Sequence, residues 1–314
     1  MAPFFSVAVP TYNRSAWLRN ALESTVQLDF ASDEYEVIVV DNNSTDDTEA
    51  VARSFVGQHP NIRYCREQQQ GHCHARNRGW QEACGEYVAY IDDDCKVPPE
   101  WLSVAREIVR ESAPVALGGP YYAFYLSPKP EWFKDAYGSH VQQRSARVLE
   151  QGEFLDGGNL FVQRQVLMDL GGFDPQFGMK GSGIGYQDET TVQTRIRNEV
   201  EGAVVYYDPR LYLYHLVRPE VMRPFWKLQS NYAHGKFGYR ARLEETGSRQ
   251  AARVSWRRAG RALAGLAWGL GPGILLRDLS AYPAWQNYVW EETSQHMKPL
   301  GNIVQYLTYR RAEH

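Results

Sequence analysis

Along the first 120 residues the hydrophobic period switches between two and 3.6, and the switching predicts the order of elements. Residues 4–9 are apolar and β-branched and stop at Pro10, which reads as a strand. In residues 15–27 the apolar positions Trp17, Leu18, Ala21, Leu22 and Val26 recur at helical spacing. Residues 36–41 hold the unbroken apolar run Val37-Ile-Val-Val40, the kind buried on both faces of a parallel sheet. A second helix is predicted over 45–56, opened by the cap-rich Asn42-Asn43-Ser44-Thr45 with acids in its first turn. A short strand at 62–65 and a helix over 72–84 follow, then a strand at 87–91 that runs into Asp92-Asp93-Asp94. A helix over 98–111 and a strand at 115–118 complete the series. The pattern is βαβαβαβ, which calls for an α/β fold with a mostly parallel sheet.

Beyond Pro120 the texture changes. Residues 120–160 are aromatic, contain proline and read as loop, and residues 165–189 are rich in glycine. A helix is expected over 189–199, strands at 203–207 and 211–215, and helices from Pro224 to the end. With 34 Lys and Arg against 37 Asp and Glu, the net charge is −3. That offers no global field for gathering nucleic acid, which is therefore not an expected partner. No stretch approaches the ~20 apolar residues of a spanning helix, and the first ten residues, without a basic region, read as a strand and not as a signal peptide. Cys65, Cys73, Cys84 and Cys95 form no C-x-x-C pair, so they read as free thiols in a reducing cytoplasm. Adjacent residues such as His72-Cys73-His74 cannot all converge on one tetrahedral zinc ion.

In an open parallel sheet, ligands bind beyond the carboxyl ends of the strands. Pro10-Thr11-Tyr12, Asp41 and the triplet Asp92-Asp93-Asp94 occupy those ends here. Any one aspartate is explained as a turn or cap residue, but three together repel one another unless a cation or hydrogen-bonding ligand is present, and oxygen ligation suits Mg or Mn. Other nucleotide motifs fail: the turn after the first strand has no glycine, Gly181-Ser-Gly183-Ile-Gly185 follows a loop, and Gly235-Lys236 lacks the upstream glycine of a phosphate loop. No G-x-S-x-G elbow is present.

Four segments in order, Val7-Ala-Val-Pro-Thr-Tyr-Asn-Arg14, Val39-Val-Asp-Asn-Asn-Ser-Thr-Asp-Asp47, Ala75-Arg-Asn-Arg-Gly79 and Tyr90-Ile-Asp-Asp-Asp94, resemble the family 2 inverting glycosyltransferases of the GT-A fold. Asp156-Gly-Gly-Asn-Leu160, Gly171-Gly-Phe-Asp174, Asp188-Glu189 with Arg195, and Tyr207-Asp-Pro-Arg-Leu-Tyr-Leu-Tyr-His215 are similar to that family's acceptor half. The resemblance implies a catalytic domain over residues 1–223, with a nucleotide-sugar half (1–120) and an acceptor half (121–223), leaving 224–314 as a helical extension. It places base and ribose contacts on Pro10, Tyr12, Asp41, Asp92 and Asp93, and puts Arg76 near the donor phosphates. Asp94 corresponds to the last acid of the metal-holding D-x-D element, and His215 to a histidine that completes that site; a histidine filling the rim of the sheet is the alternative. The base falls on the pair Asp188-Glu189. Many members read Glu-Asp here, so the order is inverted; counting back from Arg195, Glu189 occupies the base's slot, and the alternative is an acidic pair satisfying a helix dipole.

The implied function is transfer of a sugar from a nucleotide-sugar, with UDP the favoured nucleotide, to a hydroxyl of a sugar or lipid-linked glycan. The transfer inverts configuration, uses Mn or Mg, and serves glycan or polysaccharide biosynthesis. Two rivals are a sugar-nucleotide pyrophosphorylase, which needs a Gly-rich basic loop absent from residues 10–14, and a catalytically silent carbohydrate-binding relative. In the extension, Arg249, Arg253 and Arg257 recur every four residues and share a helical face, with Trp256, Leu263, Leu266 and Leu270 on another. Residues 249–276 thus suit peripheral contact with an anionic membrane at its cytoplasmic face. Packing on the catalytic domain, or a contact between copies in an oligomer, is the alternative.

Overall fold

The computed structural model describes residues 2–181, 183–246 and 254–311. Arg249 and Arg253 of the arginine series lie outside the described residues, as does Ser182. The chain divides into two compact units, one of residues 1–124, 135–182 and 188–216, the other of residues 125–134, 183–187 and 217–314.

The first unit opens as predicted: β1 (Phe5–Thr11), α1 (Ser15–Thr25), β2 (Tyr35–Asp41), α2 (Thr48–Val56), β3 (Ile62–Arg66), α3 (His72–Glu82) and β4 (Tyr87–Ile91). After the aspartate triplet come β5 (Cys95–Lys96), α4 (Trp101–Ser112), β6 (Ala116–Gly118), β7 (Tyr121–Phe124), α5 (Asp135–Gly138), β8 (Arg147–Val148), β9 (Asn159–Gln163) and α6 (Arg164–Leu170). The unit closes with α7 (Asp188–Glu199), β10 (Val205–Tyr207) and β11 (Leu213–Leu216). Eight strands form one sheet in the order β3-β2-β1-β4-β9-β6-β10-β8, and β5-β11-β7 form a second. β1 pairs in parallel with β2 and β4, with Thr11 opposite Asp41, so the carboxyl ends of these strands lie level.

Every residue of β1 and β2 is buried because both faces of the sheet are covered. Val7, Val9, Val37 and Val39 pack on one face with Leu18, Phe55 and Trp101. Ala8, Ile38, Val40 and Val88 pack on the other with Ala75, Leu167 and Ile196. Fully burying each such Val, Leu or Ile contributes about 1.5–3 kcal/mol, which is why an unbroken apolar run specifies this position.

Several elements depart from the sequence expectation, and β7, α5 and β8 all fall in the stretch over 120–160 that reads as loop. β9 lies at the centre of the sheet, antiparallel to both β4 and β6, within a stretch whose composition reads as loop. Its apolar run is only Leu160-Phe-Val162, too short to show a period. α6 likewise interrupts the glycine-rich stretch with seven residues.

The second unit comprises α8 (Trp226–Thr246), α9 (Trp256–Leu270), α10 (Pro272–Leu276), α11 (Trp285–Tyr288), a π-turn (Val289–Thr293), a 3₁₀ turn (Ser294–His296) and α12 (Met297–Arg311). α8 and α12 approach at Gly235 and Gly301, where a Cβ on either would strike the other helix's backbone. Trp290 gathers Trp132, Phe133 and Trp226 around it. Among the described residues no helix is long and apolar enough to cross a membrane.

Candidate active site

The parallel register brings Thr11, Asp41 and the aspartate triplet to one edge of the sheet. Asp41 is buried and accepts from the Ser44 amide at 2.8 Å and the Tyr64 hydroxyl at 2.8 Å. Pro10 lies within β1 opposite Val40, and Tyr12 follows the strand half-buried.

The three aspartates take different surroundings. Asp93 accepts from Thr11 Oγ1 at 2.8 Å and from Arg14 Nη1 at 2.9 Å. Burial pushes its carboxyl up to about 6, with Arg14 opposing the shift. Asp94 meets a histidine from far along the chain. β5, which directly follows the triplet, pairs antiparallel with β11 and sets His215 opposite Cys95. The Leu216 amide donates to the Asp94 carbonyl at 2.9 Å, and His215 Nε2 stands 3.4 Å from Asp94 Oδ1. Tyr121 stacks on the His215 ring with centroids 5.1 Å apart.

Asp92 is half-buried. Its Oδ1 lies 3.5 Å from Arg76 Nη2 and 3.7 Å from His72 Nε2. Burial would raise its pKa, but Arg76, His72 and His215 together hold it below the usual carboxylate range. Gly157 and Gly158 make this approach possible: a Cβ at Gly157 would sit 2.6 Å from Arg76 Nη2, and one at Gly158 2.7 Å from Asp92 Oδ2.

Arg76 also reaches the acids of α7. Its Nη1 donates to Asp188 Oδ2 at 2.9 Å, and His72 Nδ1 lies 3.0 Å from the same oxygen. Burial opposes ionisation of Asp188, yet the Arg76 guanidinium and His72 hold it far below its ordinary value. Glu189 moves the other way, since burial and the adjacent Asp188 charge push its carboxyl well up. Gln193, one turn on, anchors α7 by accepting from the Leu155 amide at 2.8 Å and donating to the Leu155 carbonyl at 2.9 Å.

The structure thus brings Asp92, Asp94 and His215 together, and joins Asp92 through Arg76 to Asp188. His72 and Cys95 are the members that sequence reasoning missed. His72 lies four residues before Arg76 and so shares its helical face, a spacing that signals the pairing. Asp92, Asp94, Cys95 and His215 offer ligand atoms all within 4.8 Å of one another. Carboxylate oxygens and one imidazole suit Mn or Mg, whereas the soft Cys95 sulfur does not.

The sequence profile described as "Glycosyl transferase family 2" matches residues 6–171, more than half of the chain. The chain belongs to that family. Among its relatives is glycosyltransferase AglE of Haloferax volcanii, 28% identical over 190 residues, which are 60% of this chain and 62% of that protein. Another, from the same organism, is the glucosyl-dolichyl phosphate glucuronosyltransferase, 27% identical over 64% of this chain and 66% of its own length. A third, from Campylobacter jejuni, is the GalNAc(5)-diNAcBac-PP-undecaprenol beta-1,3-glucosyltransferase, 39% identical over 35% of each chain. The matches therefore span less than two thirds of these family members' own lengths. Among solved structures, the mannosyltransferase PcManGT from Pyrobaculum calidifontis, in complex with GDP-Man and Mn2+, superposes with a TM-score of 0.65 at 20% identity. That superposition covers 98% of this chain and 88% of the other, and it establishes the family's GT-A fold here.

Proposed function

We propose that the chain transfers a sugar from a nucleotide-sugar, UDP-linked in the favoured case, to a hydroxyl acceptor with inversion at the anomeric carbon. The observation that carries this reading is the cluster of Asp92, Asp94 and His215 at the carboxyl end of the central strands, beside the buried Arg76. Pro10, Tyr12, Asp41, Asp92 and Asp93 are assigned to base and ribose, and Arg76 to the donor phosphates, where a guanidinium suits phosphate oxygens. Asp94 and His215 would hold Mn or Mg, with Asp92 next to them. A bound divalent ion would supply positive charge against the diphosphate.

The opposite environments of the acidic pair support Glu189 as the base. Asp188, paired with Arg76 and His72, is a weak base. Glu189, pushed up by burial and by its neighbour's charge, is the stronger proton acceptor of the two. In the proposed step the acceptor oxygen bonds to the anomeric carbon as Glu189 takes its proton. The bond from that carbon to the diphosphate oxygen breaks, and its electron pair leaves with the nucleoside diphosphate. No covalent sugar–enzyme intermediate forms.

Two relatives carry dolichyl phosphate and PP-undecaprenol in their names, which supports a lipid-linked glycan as acceptor and a place at the cytoplasmic face of a membrane. Thermal-shift measurement with a panel of nucleotide-sugars, with and without Mn, tests the donor reading, because a ligand bound only by the folded state raises its stability. One nucleotide-sugar is expected to raise the unfolding temperature only when Mn is present. No shift from any donor, and no turnover, would overturn the proposal.

A further inference from the structure

α9 is amphipathic in the reverse of the usual sense. Its buried positions are Ala259, Ala262 and Gly269. A Cβ at Gly265 would collide with His296, and one at Gly269 with Thr293, so the small-residue face is the one packed in the unit. The large apolar side chains consequently point out. Trp256, Leu263 and Leu270 are spaced by sevens on one exposed flank. The chain then turns through α10, where Leu275 is 82% exposed, Leu276 72% and the following Leu279 65%. Seven large apolar side chains, Trp268 included, thus stand uncovered between residues 256 and 279, more than a soluble surface normally carries in one place.

Up to Arg277 the charge along this stretch is positive, and Asp278 is the single acid within it. Arg257, Arg258 and Arg261 are exposed on α9, and no acid occurs between residues 254 and 277. Arg257 and Arg261 share a face with Trp268, next to the Trp256–Leu263–Leu270 flank. Apolar side chains, interfacial tryptophans and arginines without acids match the headgroup layer of an anionic bilayer.

We infer that α9 and α10 lie in the surface of an anionic membrane, with Leu275, Leu276 and Leu279 as the inserting tip and Arg257, Arg258 and Arg261 on the lipid phosphates. This deepens the membrane-side reading above, yet it rests on its own surface and on none of the residues assigned to donor or base. The full chain is tested by flotation with phosphatidylcholine vesicles, with and without phosphatidylglycerol, at low and high salt. Binding is expected only with phosphatidylglycerol and is expected to weaken with salt. Arg257→Gln, Arg258→Gln and Arg261→Gln together should lower partitioning about 100-fold, near fivefold for each charge removed. Leu275→Glu with Leu276→Glu should abolish insertion while leaving transfer to a soluble acceptor unchanged. Absence of binding to phosphatidylglycerol vesicles, or binding that none of these variants alters, overturns the inference. A dimer in solution that the leucine variants dissociate, without any vesicle binding, also overturns it and assigns the face to a second copy. Transfer to the soluble acceptor is read in parallel: if it persists while flotation fails, only the membrane inference falls, and the reverse result removes only the catalytic reading.

Discussion

In the sheet unit Asp41, Arg76, Asp93, Asp94 and Asp188 are buried, whereas in the helical unit Leu275, Leu276 and Leu279 stand exposed. Both arrangements run against the ordinary partition of polar outside and apolar inside, and they do so in opposite directions. Burying charge costs free energy unless partners compensate, and in the sheet unit Arg14 and Arg76 are those partners. Exposing leucine leaves apolar area in water that a fitting surface would cover. The first deviation suits a small charged ligand and proton chemistry, and the second suits an extended apolar one.

Replacing the base makes the largest break in this comparison. Glu189→Gln keeps size and hydrogen-bonding shape but removes the proton acceptor, so transfer should fall about 10²–10⁴-fold while donor affinity barely moves. Steady-state turnover at saturating donor, with Asp188→Asn beside it, checks this. A severe loss in Asp188→Asn alone would move the base to Asp188, and normal turnover in both would reduce the pair to a helix cap.

Arg76→Ala tests the buried charge balance itself. It leaves Asp188 buried with only His72 against it, and loss of a buried partner costs about 3–5 kcal/mol. Thermal and denaturant unfolding should show the loss. A change under 1 kcal/mol, within the range of ordinary surface substitutions, would mean that water already screens the pair.

Asp94→Ala sharpens the metal assignment. Calorimetric titration of UDP into the native protein should weaken by at least about tenfold when EDTA replaces Mn, and the variant should show no such dependence. Equal affinities in all four combinations would remove the metal from the site.

The smallest effect belongs to the helical unit. His234 stacks on Tyr186, with ring centroids 3.7 Å apart, and burial together with Lys298 and Lys227 lowers it from an ordinary value near 6.5 to about 4. The folded state therefore keeps the ring neutral while the unfolded chain protonates it. Its stabilising contribution is full above about pH 6.5 and is lost as the pH falls towards 4. The whole gap corresponds to about 3 kcal/mol, which solvent screening of the half-buried ring reduces towards about 1 kcal/mol. Chemical denaturation across that range should flatten in His234→Gln.

Much of the sheet unit was legible because its elements are local patterns. Val37–Val40 declares a strand buried on both faces, and Asp92-Asp93-Asp94 marks a strand end where the apolar run stops. β9 was not legible: three apolar residues behind a glycine pair carry no period, and only pairing with β4 and β6 makes them a central strand. His72 was hidden by its neighbours, since His72-Cys73-His74 invites a metal reading. In the fold Cys73 turns into the core while His72 faces Asp188.

The sequence by itself determined the order of elements from β1 to β4, the strand ends that carry acids, and the candidate pair at 188–189. Each of these is written in residues close together in the chain, where hydrophobic period and turn chemistry report burial directly. Only the tertiary structure decided that His215 meets Asp94 and that Asp188 and Glu189, adjacent in the chain, part in proton affinity. It alone decided that α9 packs by its glycines and alanines and leaves its leucines outside. Proton affinity and packing depend on which distant groups arrive nearby and how much water they exclude, and no local pattern encodes that.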